Sequence, residues 1–75
     1  METVPVSDPV GGAVTILGSS LTGSTSVTFN GVAATFTVVS PTEIKTTVPT
    51  GATTGKVQVV TPGGTLTSNV NFRVR

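Results

Sequence analysis

Apolar residues alternate with Thr and other polar residues along almost the whole chain, and clusters of Gly, Pro, Asn and Ser interrupt the alternation every ~8–12 residues. A period of two places successive side chains on opposite faces of an extended strand, so the chain reads as a run of short, half-buried strands. No stretch carries a helical period. Many short strands joined by turn residues predict two packed sheets, an all-β sandwich.

The spacing places a weak first strand at Thr3 to Val6 and a turn at Asp8-Pro9-Val10-Gly11-Gly12, where Pro fixes φ and Gly permits left-handed backbone. A second strand runs from Ala13 to about Leu17, with Val14 and Ile16 in the core. After a loop from Gly18 to Gly23, Ser26 to Phe29 alternates again with Val27 and Phe29 inward. Asn30-Gly31 then predicts a type I′ hairpin, because both central residues of that turn need φ > 0. It leads into a single fourth run, Val32 to Val39, with Phe36 as core anchor. Beyond the Ser40-Pro41-Thr42 break, Glu43 to Val48 turns Ile44 and Val48 inward and Lys45 and Thr47 outward. Gly55 opens a sixth run with Val57 and Val59 inward, and Pro62-Gly63-Gly64 forms the last hairpin turn. The final strand, about Thr65 to Val74, places Leu66, Val70, Phe72 and Val74 on one face. It is longer than an ordinary strand of about 5–6 residues, so a bend or bulge is expected near Ser68.

Seventy-five residues form one domain, 1–75, since two halves would each be too small for a stable core. With no Cys there is no disulfide framework and no thiolate metal site, and with no His the usual general base and the commonest metal ligand are missing. Charged residues make up 9% of the chain, against about 25% in an average protein, and the net charge is +1, which offers a polyanion little. Neither a basic leader with an apolar segment nor a transmembrane span is present in these residues. The simplest account is a module cut from a longer chain.

The punctuation itself carries a resemblance: Pro9-Val10-Gly11-Gly12-Ala13-Val14-Thr15-Ile16 followed by Gly18, then Val27-Thr28-Phe29-Asn30-Gly31-Val32-Ala33-Ala34, then Val48-Pro49 with Gly51, then Val60-Thr61-Pro62-Gly63-Gly64. Over nearly its whole length the chain resembles the IPT/TIG family of immunoglobulin-like domains, in particular the type found in bacterial surface proteins. The resemblance implies a sandwich of about seven strands, with those lettered A, B and E packed against G, F, C and C′. It also implies a choice of roles: extracellular receptor and surface-protein modules, domains appended to starch-acting glycosyltransferases, and dimerisation or DNA-contacting domains of transcription factors. The chain departs from the family at its start, where Met1 to Val4 is short and Asp8 stands where a Gly often does. Strand A is therefore expected to be truncated, leaving an edge open to pairing that Pro5 blunts.

Candidate sites are few. Glu2, Asp8 and Glu43 are the only carboxylates and fall in a tail, a turn and a strand, so no catalytic pair, cofactor site or metal site is expected. Asp8 reads as a turn-capping side chain. The Ser and Thr residues have no activating base, and the glycine pairs lack the helix of a phosphate loop. Lys45, Lys56, Arg73 and Arg75 are the whole cationic inventory; Lys56, Arg73 and Arg75 could cluster on neighbouring strands, but no nucleic-acid partner is expected. Trp and Tyr are absent and the three Phe have inward parity, which disfavours a sugar platform. What remains is the outward face of strands G, F and C, bearing Ser26, Thr28, Lys56, Gln58, Val60, Asn69, Asn71 and Arg73, as a protein-interaction face. Leu17, Val39 and Val60 are outward apolar residues by the same parity. The expected function is that of a non-catalytic spacer and docking or adhesion surface within a larger secreted or cell-surface protein. Its partners would be neighbouring domains, another protein, or a second copy through the open edge or the G–F–C face. The alternatives are an accessory domain of a polysaccharide-acting enzyme and, in a further class, a dimerising or DNA-contacting domain of transcription-factor type.

Overall fold

Ten strands carry the alternation, in a computed structural model that describes all of residues 1–75: β1 (Glu2–Val4), β2 (Ser7–Asp8), β3 (Ala13–Leu17), β4 (Ser26–Phe29), β5 (Val32–Ala34), β6 (Phe36–Ser40), β7 (Glu43–Thr47), β8 (Val57–Thr61), β9 (Gly64–Thr67) and β10 (Arg73–Val74). They form two four-stranded antiparallel sheets, ordered β1-β3-β7-β6 and β5-β4-β8-β9, and a short parallel pair of β2 with β10. The inward residues of both sheets make one core. Val14, Ile16, Ile44 and Val48 come from the first sheet and its margin, and Val27, Phe29, Val57 and Val59 from the second. Phe29 and Phe72 meet edge to face at 5.2 Å between ring centres, an arrangement that sets the positive edge of one ring against the negative face of the other.

The Asn30-Gly31 hairpin forms as its turn chemistry demands, with φ of 49° at Asn30 and 88° at Gly31. β4 and β5 pair across it from Phe29 opposite Val32 to Val27 opposite Ala34. The predicted run Val32 to Val39 does not stay in one sheet. It breaks at Thr35, and the chain crosses from the second sheet, where β5 lies, to the first, where β6 pairs with β7. The sheet containing the A, B and E strands thus gains a fourth member. At the crossing the Thr35 carbonyl has no strand partner, and the buried residue Thr46 donates its hydroxyl to it. Phe36 sits on the resulting edge, so it packs against the core only half-buried instead of anchoring it.

Strand A is present in two pieces. β1 pairs along its length with β3, Thr3 opposite Ile16, and after the cis Val4–Pro5 bond β2 leaves that sheet to lie beside β10. The last strand is interrupted where the bend was expected. Ser68 is buried, accepts the Val57 amide on its Oγ at 3.0 Å and donates to the Val70 carbonyl at 2.8 Å, while its own amide reaches the Val57 carbonyl. Ser68 and Phe72 keep the inward positions of this parity, and the detour between them throws Val70 outward, 52% exposed, against its expected place in the core. Phe72 then rejoins the pattern through an antiparallel bridge to Gly55. Leu21, in the predicted loop, is the other departure: it is wholly buried, with its amide bonded to the Pro41 carbonyl.

Candidate interaction face

The second sheet turns its inner residues into the core, which leaves the alternate residues of four strands on one outer face. Two rows cross it in register: Ala33, Thr28, Gln58 and Thr67, then Ser26, Val60 and Thr65. Residues on adjacent strands lie about 5 Å apart and those two along a strand about 7 Å apart, so the patch is on the order of 200 Å². Its seven side chains carry no charge, and Val60, 39% exposed, is its one large apolar group. Hydroxyl and amide groups on a pleated surface cost less to dock against a flat protein surface than charged groups do, provided each finds a hydrogen-bond partner. They supply no strong anchor, because the patch is far below the ~800 Å² per partner of a stable complex.

Of the eight residues predicted for this face, Ser26, Thr28, Gln58 and Val60 form its central block. The other four lie off it, Lys56 because it precedes β8 and Asn69, Asn71 and Arg73 because the interruption of the last strand carries them off the sheet. Lys56 reaches over with its Nζ to the Asn69 carbonyl at 3.1 Å, and Asn69 in turn binds Met1, its amide donating to the Met1 carbonyl at 3.0 Å. Asn71 is exposed in the detour, and Arg73 belongs to the β2/β10 pair opposite Ser7. Thr65 and Thr67 complete the face and were missed. They share the odd-numbered parity of Asn69, Asn71 and Arg73, so the signal for them was present.

The ionic groups are scattered. Arg75 pairs with Asp8 at 3.7 Å and Lys45 with Glu43 at 3.9 Å, both at the surface, where such pairs contribute little. The expected cluster of Lys56, Arg73 and Arg75 is therefore divided among a backbone carbonyl, a strand pair and a carboxylate. Asp8 lies in β2 beside the turn, its carboxylate directly over Gly12, where any Cβ would collide with it. No three His, Cys, Asp or Glu residues come together. No helix is long and apolar enough to cross a membrane. Phe29 and Phe72 are buried and Phe36 half-buried, which leaves no aromatic ring as a platform on this face.

The ends of the chain are also placed by this topology. Met1 starts beside Leu17 and Gly18, and Arg75 finishes with its amide on the Asp8 carbonyl, near the turn that precedes β3. The two termini are separated by the length of strand A, on the order of 20 Å.

Two sheets of this order, packed face to face and closed by a first strand that changes sheets, define an immunoglobulin-like β-sandwich module. The IPT/TIG domain family matches over residues 2–74, and the chain belongs to that family. IPT/TIG domains are generally non-catalytic modules. Among solved structures, the chain is similar to part of a candidate phosphatase from Bacteroides thetaiotaomicron VPI-5482, at 22% identity and a TM-score of 0.85. That match covers 100% of this chain and 17% of the other, a likeness of fold. No curated protein matches the chain in sequence.

Proposed function

We propose that the chain is a non-catalytic spacer and docking module of a larger secreted or cell-surface protein. The observation that carries this reading is the placement of the termini. A chain that enters near one end of a stiff sandwich and leaves near the other holds whatever precedes and follows it at a fixed separation. Its flat, uncharged outer face adds a docking surface without committing to a charged or aromatic ligand. The occurrence of the same fold as a small fraction of a longer chain in the Bacteroides protein agrees with a modular use. Small-angle scattering of two copies joined head to tail tests the reading. An extended pair, with a maximum dimension close to double the 30 Å long axis of one copy, is expected. A compact side-by-side pair would overturn the spacer role.

A further inference from the structure

We propose that β6 is a self-pairing edge, and that a second copy of this chain adds its own β6 antiparallel to it about a twofold axis at Thr37. The two sheets of order β1-β3-β7-β6 would then join into one of eight strands. The inference goes beyond the spacer reading and does not depend on it.

Each outer strand of the sandwich leaves a row of backbone donors and acceptors, and proteins blunt such edges with charge, proline, shortness or cover. β1 has Glu2 within it and Pro5 just after it, and the Met1 carbonyl beside it is already taken by Asn69. β5 has three residues between Gly31 and the crossing at Thr35. β9 opens on Gly64 and follows another glycine, which weakens a strand. β6 has such protection only at its far end, where a bulge is followed by Pro41. Ala33 to Ser40 contains no charge, no Pro and no Gly, and Phe36 to Ser40 makes no backbone bond except to β7. The bulge between Val38 and Ser40 is the only irregularity.

The side chains of this edge complement themselves in one register. Pairing about Thr37 sets Thr37 opposite Thr37 of the other copy and each Phe36 opposite Val38, and it leaves the bulge at the periphery. Thr–Thr and aromatic–β-branched pairs are among the favourable cross-strand neighbours. Phe36 and Val38 pack on the core yet stay half-exposed because they sit at the edge, so each copy would cover the residues the other leaves open. A contact of five or six residues per copy buries on the order of 500 Å² in total, well below the ~1,200 Å² of stable complexes. It therefore works as a weak contact between copies held at high local concentration.

Sedimentation velocity over a concentration series tests this on the chain as it stands and on two variants. The unmodified chain should move toward the dimer value as concentration rises. Thr37→Glu should weaken association by about tenfold or more, since it sets like charges opposite each other across the axis while lying next to Lys45 within its own sheet. Val60→Glu, on the outer face of the other sheet, should associate like the unmodified chain. Should Thr37→Glu alter the circular dichroism spectrum, Thr37→Asp replaces it. The proposal is overturned if the unmodified chain stays monomeric at its highest soluble concentration. It is equally overturned if Thr37→Glu dimerises undiminished, or if Val60→Glu abolishes the dimer as well, which would assign pairing to the face.

Discussion

Four hydroxyl residues are buried in this sandwich, and they differ in what their oxygens meet. Ser68 Oγ serves two backbone groups and Thr46 Oγ1 serves the Thr35 carbonyl, whereas the Thr3 hydroxyl has no protein partner although the residue is buried. An unsatisfied buried hydroxyl costs about 1–3 kcal/mol, and a satisfied one contributes about 1 kcal/mol. Urea unfolding should therefore show opposite signs for the same chemical change. Thr3→Val is expected to raise stability by about 1 kcal/mol, and Thr46→Val to lower it by about 0.5–1 kcal/mol, since it loses the hydrogen bond to a Thr35 carbonyl that water can still reach. Leu21→Ala should be worse than either, at about 3 kcal/mol, because it empties a fully enclosed position. Val70→Ala, at an exposed position, should stay within about 0.5 kcal/mol of the unmodified chain. Leu21 and Val70 were invisible to period counting for complementary reasons. Leu21 lies in a Gly- and Ser-rich loop with no period, and Val70 lies inside a detour off the sheet whose flanking residues of the same parity, Ser68 and Phe72, stay buried, so parity alone assigns it inward.

Strands whose ends are set by turn residues were legible: Ala13–Leu17 and Ser26–Phe29 were read with the limits they have. The Thr35 crossing was not, and the reason is geometric. Both sheets face the same core, so a chain that crosses at an edge keeps its inward and outward positions in step. Val32, Ala34, Phe36 and Val38 all remain on the inner side. Alternation reports which way a side chain faces and is silent on which sheet carries it. The same limit applies to the outer face, where the register that assembles Ser26, Thr28, Gln58 and Val60 could be inferred but the departure of Asn71 and Arg73 could not. The hairpin makes one further coupling testable. Asn30 sends its side chain to Thr53 and to the Thr54 carbonyl and fills the space in which Gly55 would carry a Cβ. Gly55→Ala is expected to destabilise by about 2 kcal/mol. Much of that loss should vanish in an Asn30→Gly background, which keeps the turn's positive φ and clears the contact. A double-mutant cycle from thermal or urea melts would show additive losses if Asn30 were not the obstacle.

With two long ion pairs whose cations are exposed, a net charge of +1 and a core of aliphatic and Phe side chains, the fold owes little to ionic interactions. The thermal midpoint should change little between low and molar sodium chloride, as differential scanning calorimetry would record; a steep salt dependence would mean that one of the pairs matters more than its exposure implies. The parallel zipper of β2 and β10 has a different consequence, which is mechanical. Tension applied through the two ends pulls these strands in opposite directions along their own axes, so their bonds, including Arg73 N to the Val6 carbonyl at 2.9 Å and Arg75 N to the Asp8 carbonyl at 3.1 Å, are loaded in shear and must yield together. Replacing Arg73 with Pro removes one of those donors at the edge of the sandwich. In single-molecule pulling it should lower the rupture force by a larger fraction than it lowers the free energy of unfolding. A chain built this way bears load across the seam where its beginning meets its end.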